Sequence, residues 1–213
     1  MNKTRSASRV FVAGVAVIAW AGVLLQLWLS ARHAQQTGHS ALRALLVVLC
    51  YNTVLTNVLV ALVATRVALA GAGARLTSTT ILAAAAVYIL VVGLIYSLLL
   101  RSQWAPVGLS KLADELLHDV TPILYLLWWL LWAPKNGLRW SSPLQWLLYP
   151  LAYFLISLIA GAHTGRYLYP FGDVGAHGLA TVLRNGALIL ALYLVLGLAA
   201  VAVVRLFSRR AGR

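Results

Sequence analysis

Six apolar stretches dominate this chain, at residues 10–29, 44–64, 81–100, 112–132, 144–162 and 186–206. Each is about as long as the 20 or so residues that a helix needs to cross a bilayer. Charges, Gly or Pro bound every stretch. None alternates with the period of two that a membrane-barrel strand requires, so each reads as a helix. The expected fold class is all-α: a polytopic membrane protein, a bundle of six transmembrane helices in a single integral membrane domain over residues 1–213. The first stretch follows Lys3, Arg5 and Arg9 as a signal peptide would. It is longer than a signal-peptide core and no small-residue cleavage site follows, so it reads as a retained span.

Composition narrows the function classes. Hydrophobic residues make up 62% of the chain and charged residues 10%, unlike an ordinary soluble domain or a disordered segment. The single cysteine, Cys50, excludes a disulfide framework and a CxxC redox pair. A net charge of +13 would ordinarily suggest nucleic acid. In a membrane protein the same cations report which side each loop faces. With the N-terminus inside, the cytoplasmic segments hold eleven: Lys3, Arg5, Arg9, Arg66, Arg75, Lys135, Arg139, Arg205, Arg209, Arg210 and Arg213. The other side holds six: Arg32, Arg43, Arg101, Lys111, Arg166 and Arg184. Both termini are therefore expected in the cytoplasm of a cell whose plasma or inner membrane holds the protein, and no nucleic-acid partner is expected. Trp128, Trp129, Trp132, Trp140 and Trp146 cluster around the fourth connection and read as anchors at headgroup level.

In that topology all four acids (Asp114, Glu115, Asp119 and Asp173) and all five histidines (His33, His39, His118, His163 and His177) fall at or near the non-cytoplasmic face. Chemistry is expected to open to that side. In the second span Thr53, Thr56 and Asn57 share a helix face at spacings i, i+3 and i+4, next to Asn52. At a rise of 1.5 Å per residue, Thr53 would lie roughly 14 Å deep. Such a stripe faces either a cavity or neighbouring helices as hydrogen-bonding glue. In the fourth span Asp114 precedes His118 by four residues, so Asp114 rather than Asp119 is placed to orient the imidazole. Pro122 lacks an N–H and frees the His118 carbonyl. His118 would lie about 9 Å below residue 112, a depth close to that of Thr53. The fifth connection carries Tyr167, Tyr169, Pro170, Phe171 and Asp173, and reads equally as a cap over a cavity or as an interfacial anchor loop.

Several motifs in order resemble a known family. They are Asn52-Thr53 with Thr56-Asn57, His118 with Pro122, Pro134-Lys135 with Gly137, Tyr149-Pro150 with Tyr153, and Tyr167 with Tyr169-Pro170-Phe171-Gly172-Asp173. Over residues 43–207 the chain resembles the Pr6Pr family of bacterial six-helix membrane proteins. That family is distantly similar to the androgen-induced and androgen-dependent tissue-factor-pathway-inhibitor-regulating proteins, which hydrolyse fatty acid esters of hydroxy fatty acids. The resemblance implies a lipid ester hydrolase with Thr53 as the threonine nucleophile, Thr56 as its rival, and His118 as the base. Asp114, Asp119 and Asn57 would support them, and the implied partner is a membrane lipid or fatty acid ester. A base is needed because a threonine hydroxyl is otherwise a poor nucleophile.

Other classes stay open to different degrees. A non-catalytic lipid or small-molecule binding or transport protein needs the same cavity and no nucleophile. An ion-coupled transporter predicts inverted repeats, and none is legible. No cofactor and no metal are expected: no HxxxH or HExxH pair lies on a helix, and His33 and His39 sit six apart in a connection.

Overall fold

The structure, a computed structural model, describes residues 3–72 and 77–211, with side chains over 5–72 and 77–206. Of the expected cytoplasmic cations, Arg75 and Arg213 lie outside the described residues, as do the side chains of Lys3, Arg209 and Arg210. The described residues are helical and form no strand.

Helix α1 (Lys3–Gln36) runs without a break. It ends where Gly38 enters the left-handed region at φ 73°. The His39 amide then donates back to the Ala34 carbonyl at 2.8 Å, closing a Schellman turn. Ser40 caps the short α2 (Ala41–Leu49) by accepting from the Arg43 amide. Tyr51 is extended (φ −73°, ψ 131°), and α3 (Asn52–Ala70) begins after it. The second apolar stretch, 44–64, is therefore not one helix. Hydropathy does not register the break because Cys50 and Tyr51 are themselves apolar. Thr53 consequently sits in the first turn of α3 rather than half-way along a span.

Helix α4 (Thr79–Ile95) passes into a π turn (Tyr96–Leu100) and a 3₁₀ turn (Arg101–Gln103). Helix α5 (Leu109–Glu115) likewise passes into a π turn (Leu116–Val120), which leads into α6 (Thr121–Trp132). Then come α7 (Ser142–Trp146), α8 (Leu148–Thr164), a 3₁₀ turn (Pro170–Gly172), α9 (Val174–His177) and α10 (Leu179–Ala211). Among the described residues five helical runs are long and apolar enough to cross a membrane: Arg5–Gln36, Asn52–Ala70, Thr79–Gln103, Ser142–Thr164 and Leu179–Leu206. The expected fourth span, 112–132, is helical throughout but is divided by the second π turn.

By its internal contacts the chain forms two compact units, Met1–Lys135 and Asn136–Arg213. In the first, α1 packs on α3, α5 and α6, and α4 packs on α3 and α6. Lipid tails are as apolar as leucine, so helices in a bilayer associate through close packing and interhelical hydrogen bonds. Both devices are present. Ala83, Ala85 and Ala86 of α4 are buried and allow close approach. Trp20 donates to Thr65 at 3.2 Å, Tyr125 to the Leu82 carbonyl at 3.3 Å, and Arg9 to the Leu69 carbonyl at 2.8 Å near the end of α3.

The tryptophan expectation needs correction. Trp128 and Trp129 are interior residues of the first unit, and Trp128 donates to Ser8 at 3.2 Å. Trp146 is interior to the second unit. Packing of α6 against α1 and α4 turns Trp128 inward, toward protein rather than outward as a lipid-facing anchor. Trp140 is exposed and carries the Arg205 guanidinium 5.3 Å from its ring centre.

In the second unit α10 packs on α7, α8 and α9. Gly186 and Gly197 are contact points: an added Cβ would fall 2.4 Å from Phe154 and 2.8 Å from Pro143. The connection after α8 is held in place. The Tyr167 ring fills the space over Gly161, Tyr169 stacks on Phe171 with centroids 5.2 Å apart, and Asn185 donates to the Phe171 carbonyl at 2.9 Å. Asp173 caps α9 by accepting from the Ala176 amide at 3.1 Å.

Candidate functional site

The first unit brings its two π turns together. A π turn inserts one extra residue into a helix, which re-aims the side chains around it and is frequent at functional sites. Tyr96 comes from one turn and His118 from the other, and their rings stack with centroids 3.7 Å apart at 13°. His118 Nδ1 lies 3.0 Å from the Asp114 carbonyl and 3.1 Å from its carboxylate Oδ1. A carbonyl only accepts, so Nδ1 carries the proton and the neutral ring keeps its lone pair on Nε2. The Tyr96 hydroxyl donates to the other Asp114 oxygen. The Asp114 and His118 side chains are only 12% and 13% exposed, so water screens this cluster weakly.

A second pair lies beside it. Arg101 donates to Asp119 at 2.6 Å and stands 5.0 Å from the Tyr96 ring centre. Glu115 pairs with Lys111 at 3.7 Å on an exposed face. Asp114 is thus the partner of His118, while Asp119 belongs to Arg101.

Gly93 allows these elements to meet. An added Cβ there would lie 3.0 Å from the His118 carbonyl oxygen and 3.5 Å from Pro122. The His118 carbonyl is therefore covered by the bare backbone of α4.

Across the π turn from His118, Leu117 is packed with Val23 of α1 and Val54 of α3. The wholly buried Asn57 donates to the Leu117 carbonyl at 3.1 Å and to the Thr53 carbonyl at 2.9 Å. Thr56 is also buried, and Thr53 is half-buried. Among the described residues no hydrogen bond joins Thr53 to His118, whose ring partners are Asp114 and Tyr96. Neighbours in sequence are turned to different helices here, Leu117 toward α1 and α3 and His118 toward Tyr96.

A cavity of about 910 Å³ opens beside the cluster. Its walls come from the end of α1 (Trp28, Leu29 and Arg32), α2 (Arg43 and Val47), Trp104 and Asp114. Thr53 and His118 are not among its walls. Tyr167, Tyr169, Pro170, Phe171 and Asp173 all belong to the second unit. Among the described residues no three His, Cys, Asp or Glu side chains converge as metal ligands would. Sequence reasoning did not find Tyr96, Arg101 or Gly93. The available signal was a tyrosine and an arginine closing an otherwise apolar third span.

The fold and cluster define an all-helical protein with several helices of bilayer-crossing length and a polar group set between two of its helical runs. Comparison with protein-family models, curated proteins and solved structures gave no match.

Proposed function

We propose that this is a six-span membrane protein, both termini cytoplasmic, that binds a lipid-like amphiphile in the cavity of its first unit. The observation that carries the reading is the cavity itself. Its 910 Å³ lies within the 300–1,000 Å³ of ordinary small-molecule sites, which combine apolar walls with a few polar groups. Here Trp28, Leu29, Val47 and Trp104 are apolar walls, and Arg32, Arg43 and Asp114 are among the polar groups. The helical run through 109–132 supports a sixth crossing beside the five long apolar helices. An even number of crossings puts both ends on one side, and the eleven-to-six cation count favours the cytoplasm.

The reading is tested by saturation binding of a long-chain fluorescent probe to the purified full chain in neutral detergent. Binding should saturate at one site, and Val47→Trp, which puts a bulkier ring into the wall along the tail, should weaken it severalfold. Non-saturable binding, or full affinity in Val47→Trp, would overturn it.

A second reading rests on the Asp114–His118 pair and on the resemblance to the Pr6Pr family. With Nδ1 held by Asp114, His118 Nε2 is available as a general base. Thr53, or its rival Thr56, would attack the carbonyl of a long-chain ester and pass its proton to His118, which would return it to the departing alkoxide, and water would then release the acid from the threonine. Asn57, expected to support the site, has both amide hydrogens on the Leu117 and Thr53 carbonyls, so the oxyanion would need a backbone N–H. This reading requires α3 to bring its threonine to Nε2 when substrate binds. Long-chain ester hydrolysis that disappears in Thr53→Ala and in His118→Ala supports it. Unchanged turnover in both variants eliminates it.

A further inference from the structure

The chain has four carboxylates, and each is already engaged. Asp114 is held by His118 and Tyr96, Glu115 by Lys111, Asp119 by Arg101, and Asp173 caps α9. Arg32 and Arg43 therefore have no carboxylate partner among the described residues. Both line the same cavity, and both are exposed to it rather than buried against protein. Arg32 lies over the Trp28 ring, 5.1 Å from its centre, and Trp28 is also a cavity wall. That stacking restrains the guanidinium while leaving its in-plane N–H donors free. Two unpaired guanidiniums at an apolar cavity form a site for an anion that carries a hydrocarbon tail.

The number of acceptor oxygens selects the headgroup. Asp114 lines the cavity too, but its oxygens are occupied by the imidazole Nδ1 and the tyrosine hydroxyl. The donors left to a ligand are those of two guanidiniums, whose two positive charges outweigh the one negative charge of Asp114, so the lining favours an anion with acceptors for both forks. A phosphate monoester carries about −1.5 to −2 at neutral pH and offers three acceptor oxygens. A carboxylate carries half of that and occupies one guanidinium fork. His33 and His39 line the same cavity.

We infer that the cavity takes an amphiphile with a phosphate monoester headgroup, bound by Arg32 and Arg43, with its tail along Trp28, Leu29, Val47 and Trp104. The inference rests on the amphiphile-binding reading above and names the ligand class for that same site.

The test uses the purified full chain in neutral detergent and four fluorescent probes of one chain length, ending in a phosphate monoester, a carboxylate, an alcohol or a trimethylammonium group. The phosphate probe should bind at least tenfold more tightly than the alcohol and measurably more tightly than the carboxylate. Arg32→Gln with Arg43→Gln should weaken the phosphate probe tenfold or more and change the alcohol less than twofold. Arg32→Lys with Arg43→Lys should keep part of the phosphate preference, which separates lost charge from lost fold. Equal binding of all four probes, or of phosphate and carboxylate, overturns the headgroup assignment while the cavity reading stands. Displacement of the phosphate probe by inorganic phosphate at matching concentration overturns the amphiphile part, because the anion alone would then suffice. Failure of every probe to bind overturns the cavity reading itself.

Discussion

Tyr96 lies flat on His118, ring centroids 3.7 Å apart and planes 13° from parallel, while its hydroxyl reaches the carboxylate that also holds the imidazole. One side chain thus contacts both members of the Asp114–His118 pair, by its face and by its tip. The two contacts separate experimentally. Tyr96→Phe keeps the stack and removes the hydroxyl, at a cost of about 1.5–3 kcal/mol for one hydrogen bond to a carboxylate. Tyr96→Leu removes both, and should cost more by roughly 1 kcal/mol for the lost ring pair. Thermal unfolding of both variants in detergent checks the order. Equal losses would mean that the stack contributes nothing.

Gly93 should tolerate no side chain. A methyl group at 3.0 Å from the His118 carbonyl oxygen is too close, and the neighbour is backbone rather than a flexible side-chain end. Gly93→Ala should destabilise by about 1–3 kcal/mol through overpacking. Gly93→Leu should separate α4 from the π turn and abolish the Tyr96–His118 stack. Loss of protection of residues 93–101 and 114–122 in hydrogen exchange would report that separation.

Gly161 has the corresponding role in the second unit. A Cβ there would lie 2.2 Å from the Tyr167 ring, so Gly161→Ala must expel the ring. The connection through Tyr169, Pro170 and Phe171 should then loosen. Limited proteolysis should cut between 165 and 173 faster in Gly161→Ala than in the parent chain, and Tyr167→Ala should produce the same cut. Equal rates in all three would show that Tyr167 does not hold the loop.

Lys135 supplies a pH-dependent prediction. Burial disfavours its ammonium form and lowers its pKa to about 8 from the usual 10.5. The amine still donates to the Ala133 and Trp129 carbonyls and stands 4.6 Å from the Trp129 ring centre. Because the folded pKa is depressed, the unfolded chain holds the extra proton between pH 8 and 10.5. Stability should therefore rise with pH across that window and be flat below it. Competitive amine labelling should give Lys135 a midpoint near 8. Lys135→Gln should remove the rise in stability.

Much of the architecture was legible in the chain. Twenty-residue apolar runs are a local property, and all of those predicted became helical over most of their length. The exception shows the rule: Tyr51 breaks 44–64 into α2 and α3. An apolar residue in extended conformation leaves no mark on a hydropathy profile, so the depth assigned to Thr53 did not survive. The Asp114–His118 contact was readable because spacing i, i+4 within one helical run fixes a common face. The pairing of Asp119 with Arg101, eighteen residues away, was not.

By itself, then, the sequence determined the helical class, the lengths of the apolar runs and the proximity of residues that share a turn, since all three depend only on chain order. Tertiary structure decided which tryptophans are interior, which ring lies on His118, and which guanidiniums are left facing a cavity. Those outcomes depend on how helices distant in sequence pack. They depend also on two π turns, whose single extra residue shifts every later side chain around the helix without any change in composition.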